Sequence, residues 1–171
     1  MDNPYQAPNA ELQPRHNIEA LKYVGFWART GAYIIDSLLI MIIVLPIFFL
    51  MVGGGGLDQM AMESESPSIA MMVVIYILPI ALILGFWIIK GTTPGKMIFK
   101  AKIVDAKTGG HPSKLQFIGR YLGYIISSIP LCLGFFWIGW DKRKQGWHDK
   151  MSGTVVVSPS NDPDQQVSFD G

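Results

Sequence analysis

Three long apolar runs, separated by polar connectors, organise the chain. Thr30 to Val52 contains 23 residues whose only ionisable side chains are Tyr33 and Asp36. Ile69 to Ile89 adds 21 uncharged residues and Tyr121 to Trp140 another 20. A helix crossing the hydrocarbon needs about 20 apolar residues at a rise of about 1.5 Å each. Backbone polar groups in lipid must be satisfied within the segment, so each run is expected as helix. The expected membrane segments are about 27–52, 69–89 and 115–140. Tyr23 and Trp27 before the first run, and Trp87 and Trp140 at the ends of the others, are placed as interfacial aromatics. Gly53 to Gly56 stop the first helix, Pro46 kinks it, and Ser68 is the expected N-cap of the second.

The connectors set the orientation. Residues 53–68 carry Asp58, Glu63 and Glu65 with no Lys or Arg, whereas residues 90–114 carry six Lys against Asp105 alone. The positive-inside rule puts the second connector, and hence the amino terminus, in the cytoplasm. The third run has Ser127-Ser128-Ile129-Pro130 at its centre and Gly134 beyond. It reads either as one kinked crossing or as a re-entrant hairpin. The basic cluster of Lys142, Arg143, Lys144 and Lys150 behind it would be cytoplasmic only with the hairpin. Lys96 to Asp105 reads as a short interfacial strand that Thr154 to Val157 would pair with. The expected fold is an all-α transmembrane bundle of 3–4 membrane segments with a small β element on the cytoplasmic side. Residues 1–22 and 158–171 are expected as disordered polar tails around a domain at 23–157.

Composition agrees with a membrane protein. Of 171 residues, 50% are hydrophobic and 16% charged, against about 25% charged in soluble domains. A net charge of +1 argues against a nucleic-acid partner. The single Cys132 excludes an internal disulfide. His16, His111 and His148 are too dispersed to suggest a metal site. Gly91-Thr92-Thr93-Pro94-Gly95-Lys96 departs from a phosphate loop in spacing, and Met97 stands where Ser or Thr belongs. No nucleophile or acid–base pair has supporting context, so no enzyme and no cofactor is expected.

The candidate chemistry lies in the few charges placed against lipid. Asp36 falls nine residues after Trp27, about 13 Å along a helix and near the middle of the hydrocarbon. An Asp there costs about 2.5–3.5 kcal/mol on insertion scales, so it must be paired, protonated or hydrated. Arg29, Tyr33 and Asp36 form one polar stripe on this helix. Arg120, with Tyr124 and Ser127 on its face, is an alternative partner for Asp36. The set is either a proton or cation relay or an ion pair that fixes helix packing. His148 is expected in a structural role. Asp149 is open between a relay and a backbone or lysine contact.

Three ordered motifs resemble the RDD family, bacterial membrane proteins named for one arginine and two aspartates. They are Gly25-Phe26-Trp27-Ala28-Arg29-Thr30-Gly31-Ala32-Tyr33-Ile34-Ile35-Asp36, then Gly91 to Lys96, then Trp147-His148-Asp149 leading to Gly153-Thr154-Val155-Val156-Val157. By position the arginine is Arg29, the first aspartate Asp36 and the second Asp149, with Asp141 as its rival. The resemblance implies a multi-pass bacterial inner-membrane protein, with sodium/proton exchange proposed for some members. The expected partners are the lipid bilayer, Na⁺, K⁺ or H⁺ as transported species, and further copies of the chain in a homo-oligomer. The competing expectation is a non-transporting scaffold or assembly module.

Overall fold

The computed structural model describes residues 20–52, 68–160, 162, 167 and 169. The expectations for the tail at 1–19, for the acidic connector at 53–67 and for most of the carboxyl tail lie outside the described residues. Helix α1 runs Phe26–Val52 with Pro46 inside it. Its 27 residues span about 40 Å, more than the hydrocarbon thickness. Helix α2 is Ile69–Lys90. Ser68 caps it, its hydroxyl accepting from Met71 N at 3.2 Å. Pro79, which has no N–H to give, is preceded by a π-helical turn at Val73–Ile77. Gly91, at φ +64°, ends α2 by donating its N–H to Trp87 O at 2.8 Å. Both helices are long and apolar enough to cross a membrane.

The first part of the expected strand is instead a short helix, α3, Pro94–Ile98. Thr93 is its N-cap and Pro94 its first residue, a helix-start signal that outweighs the β-branched character further along. The strand begins only at β2, Lys102–Asp105, and pairs antiparallel with β3, Thr154–Pro159. A third strand, β1 at Leu21–Tyr23, pairs on the other edge of β3, giving the order β1-β3-β2. The fold is therefore mostly helical, and its expected small β element is a three-stranded sheet. Leu21, Lys22, Ser158 and Pro159 belong to the sheet and not to tails. Val167 N also donates to Leu21 O at 3.0 Å.

The third apolar run forms helices α4, Lys114–Ser128, and α5, Leu133–Trp140, bent at 102° to each other. Ser113 and Gln116 make a capping box at the start of α4. Pro130 and the left-handed residues Leu131 and Cys132 make the corner, so Cys132 is exposed there and not packed inside. Gly134 lets the two helices close, since a Cβ on it would lie 2.6 Å from Ser127 Cα. Both ends of this pair come back to one sheet. Gln116 Nε2 at the start of α4 reaches Asp105 Oδ2 at 2.5 Å, while α6, Trp147–Ser152, follows α5 and leads directly into β3.

The packing is inverted relative to a soluble domain. Leu38, Ile42, Leu50, Ile69 and Leu131 are exposed, while Arg29, Arg120, His148 and Asp149 are buried. An apolar exterior around a polar interior is what a lipid solvent requires. The apolar core proper is small: Val24, Trp87, Ala101, Ile103, Phe117 and Val156, where the sheet meets α2 and α4. Trp87 belongs to it at 1% exposure, a core residue and not the interfacial aromatic expected, whereas Trp27 and Trp140 are exposed.

Candidate functional site

Arg29 lies one turn into α1, just past Val24 and β1. Its Nε donates to Val24 O at 2.9 Å and its Nη2 to Lys144 O at 2.6 Å. Its Nη1 reaches Asp149 Oδ2 at 2.5 Å. The other oxygen, Asp149 Oδ1, pairs with Arg120 Nη1 from α4. Arg120 also donates to Thr154 Oγ1 at 2.7 Å, and its guanidinium lies 5.6 Å from the Trp87 ring centroid. Gly146 N adds a third hydrogen bond to the carboxylate, at 2.8 Å to Oδ2. Asp149 is fully buried. One carboxylate thus ties α1, α4, the loop after α5 and the sheet together.

Burial by itself raises the Asp149 pKa, but the Arg120 and Arg29 guanidiniums outweigh it and hold the carboxyl well below the usual carboxylate range. His148, next to it, has its ring 4.5 Å from that of Tyr124 and 5.0 Å from that of Phe135, with Nδ1 3.3 Å from Ser127 Oγ. Burial pushes its pKa down to about 3; Asp149 opposes that shift and the two guanidiniums reinforce it. A neutral imidazole in an aromatic slot is a packing residue. Asp141 is elsewhere. Its Oδ1 accepts from Arg143 N and Gln145 N, at 3.0 and 3.1 Å, and its Oδ2 pairs with Lys150. Of the two rival aspartates, Asp149 is the one bound to Arg29.

Asp36 is held apart from this triad. Its Oδ2 accepts from the Thr93 hydroxyl and its Oδ1 from Gly95 N at 2.6 Å. The contact requires glycine at 95, where a Cβ would lie 2.2 Å from Ala32 O. Asp36 therefore docks on the residues that follow α2. The Arg29-Tyr33-Asp36 stripe is not a contact network: Arg29 turns to Asp149, 120 residues on, and Tyr33 is 68% exposed. Arg120 likewise serves Asp149 and not Asp36. Helical spacing tells which side chains share a face, but not which distant segment docks on it.

Lys96, counted in the sequence only as a topological charge, is 91% buried, at 9% exposure. Its Nζ lies 5.1 Å from the Trp87 ring centroid. Burial pushes its pKa down to about 7; Arg120 acts in the same direction and Asp36 against it. The sequence signal that brings Lys96 inward is Thr93-Pro94, which starts α3 and turns Lys96 toward α2. Asp36, Lys96, Arg29, Arg120, Tyr33 and His148 all line one cavity of about 830 Å³ that extends between α1, α2 and the α4–α5 pair. Among the described residues no three His, Cys, Asp or Glu side chains gather as a metal centre.

The RDD family model matches residues 23–153, a stretch that includes Arg29, Asp36, Lys96, Arg120 and Asp149. The chain belongs to the RDD family. Over 151 residues, 80% of this chain and 97% of the other, it is 32% identical to the uncharacterized protein YxaI of Bacillus subtilis. It is also 46% identical over 72 residues to the uncharacterized protein RP437 of Rickettsia prowazekii, a match that covers 42% of this chain and only 39% of that protein. The proline-rich antigen of Mycobacterium leprae is 28% identical over 67 residues, 39% of this chain and 27% of the antigen. No solved structure matches. Family membership and the two apolar helices make this RDD protein a membrane protein.

Proposed function

We propose that this RDD protein is a multi-pass transporter of the bacterial inner membrane that exchanges a small cation, Na⁺ or K⁺, seated at Asp36, for a proton. The observation that carries the reading is one cavity between membrane helices lined by both a carboxylate, Asp36, and a buried ammonium, Lys96. Counting the buried Arg29, Lys96 and Arg120 against the buried Asp149 and the half-buried Asp36, the set bears one net positive charge. Adding a cation to it in low dielectric is costly. Releasing the Lys96 proton as the cation seats at Asp36 leaves the charge unchanged, so the exchange is one for one. With Lys96 titrating at about 7, a modest pH change moves the balance. The Arg29–Asp149–Arg120 triad holds the walls of the cavity and carries no ion.

In this reading α1 and α2 cross the membrane and α4–α5 is a re-entrant hairpin. The reason is topological. Strands preceding α1, following α2 and following α5 share one sheet, and one sheet lies on one side of a bilayer. The six-lysine connector puts that side, and the amino terminus, in the cytoplasm. Two crossings leave most of α1 without protein cover, which favours a homo-oligomer. In everted vesicles holding a proton gradient, added Na⁺ or K⁺ should dissipate it, and Asp36→Asn should abolish the response. Purified, folded protein that gives no cation response refutes the reading. The dense bonding of the triad across α1, α4 and the loop after α5 favours a second one, a non-transporting assembly module, in which Asp36→Asn lowers protein level and no ion moves.

A further inference from the structure

We infer that the cavity between α1, α2 and the α4–α5 hairpin binds a long-chain fatty acid, with its carboxylate at the Lys96–Arg120–Trp87 end and its acyl chain along the apolar walls. The first support is shape. On α1 the lining runs from Phe26 to Leu45, 19 residues or about 28 Å at 1.5 Å each. A volume of about 830 Å³ lies within the range of about 300–1,000 Å³ that suits a small-molecule ligand. Ile40, Val44, Ile75 and Ile83 on its walls offer a chain nothing polar. One elongated cavity of this size takes one chain rather than the two of a phospholipid.

The second support is unspent donors at one end. Lys96, 91% buried, has no carboxylate at ion-pair distance among the described residues. Arg120 Nε and Trp87 Nε1 are buried with no hydrogen-bond acceptor. All three residues line the cavity, and buried donors are rarely left unpaired in native proteins. Asp36, whose oxygens accept from Thr93 and Gly95, forms no ion pair with Lys96 and accepts from neither of the other two donors. The third support is charge. Three cations against two carboxylates leave a surplus of one, which a monoanionic head neutralises.

This site goes beyond the exchange reading and is tested with no ion gradient present, so either can fail without the other. The full chain is placed in nanodiscs of neutral phosphatidylcholine, and protein-dependent binding of radiolabelled palmitate is measured with three competitors. Saturable binding of one palmitate per chain is expected, with hexadecanol competing weakly and acetate not at all. Lys96→Gln should weaken binding about tenfold, what loss of one charge-assisted hydrogen bond removes. Lys96→Arg, which keeps the charge, should stay within about threefold of the native chain. Three results overturn the proposal: hexadecanol competing as well as palmitate, Lys96→Gln binding like the native chain, or no saturable binding in folded Lys96→Arg and native protein. Displacement of palmitate by phosphatidylglycerol at equal mole fraction also overturns it, because the occupant would then be a two-chain lipid.

Discussion

Replacing Asp149 by Asn tests the triad with little change of shape. The amide can still accept from Gly146 N, 2.8 Å from Asp149 Oδ2 in the native protein. What disappears is the negative charge between two buried guanidiniums, Arg29 at 8% and Arg120 at 1% exposure. Removing one partner of a buried ion pair costs about 3–5 kcal/mol, because the remaining charge is left uncompensated. Arg29 keeps its bonds to Val24 O and Lys144 O, and Arg120 keeps Thr154 Oγ1 and the Trp87 face, so the low end, about 3 kcal/mol, applies. For a chain of this size that lowers the melting temperature by about 6–12 °C, readable by thermal unfolding in detergent micelles. The triple variant Arg29→Met, Arg120→Met, Asp149→Leu should recover most of the loss, since apolar residues of similar volume replace buried ion networks at little cost. A shift under about 2 °C for Asp149→Asn, or a triple variant as unstable as the single, would refute the charge argument.

Three further outcomes follow from the same geometry. Gly134→Ala puts a Cβ 2.6 Å from Ser127 Cα and should cost about 1–3 kcal/mol as overpacking; thermal unfolding reads it, and Gly139→Ala, whose Cβ meets nothing within 4 Å, is the control. His148 has a folded pKa of about 3, below its unfolded value, so the unfolded chain binds more protons between about 6.5 and 3 and stability falls with acid over that window. His148→Phe should flatten that part of the melting-temperature profile. Lys96, at about 7 in the folded chain, should make stability rise as pH increases from about 7 to 10.5, again because the unfolded chain binds more protons there; Lys96→Met should remove that slope, and a slope unchanged in the variant would show that Lys96 is charged throughout.

The two helices long and apolar enough to cross a membrane were legible from the sequence because a single charge, Asp36, interrupts the runs Thr30 to Val52 and Ile69 to Ile89, and Ser68 announced the start of the second. Pro130 announced the corner between α4 and α5. Strand β1 was not legible. Its three residues form a strand only because Tyr23 meets Val157 from the far end of the domain, and no local pattern encodes such a pairing. The charges were found, and the amino-terminal lean of helical side chains argues against a direct Arg29–Asp36 bond, but Arg120 was joined to the wrong aspartate. Arg29 and Asp36 share a helix face, yet Arg29 gains more by turning to the fully buried Asp149, and Asp36 gains the amide and hydroxyl presented by α3. Lys96 was hidden by its neighbours: among six basic residues in one connector, nothing local distinguishes the one that a helix cap turns inward.

One-for-one exchange in the Asp36–Lys96 cavity fixes an ion balance that can be read in proteoliposomes. Purified protein is reconstituted with a sodium gradient in one direction and a pH gradient set against it, while valinomycin and equal K⁺ clamp the membrane potential at zero. Sodium flux should stop when the two concentration ratios are equal, an imposed membrane potential should not shift this balance point, and Asp36→Asn should show no flux. Repeating the measurement with a potassium gradient, no valinomycin, and the permeant anion thiocyanate equal on both sides as the potential clamp covers the other cation. Flux of neither ion in folded native protein, a balance point that moves with the potential, or Asp36→Asn behaving as the native chain would contradict one-for-one exchange.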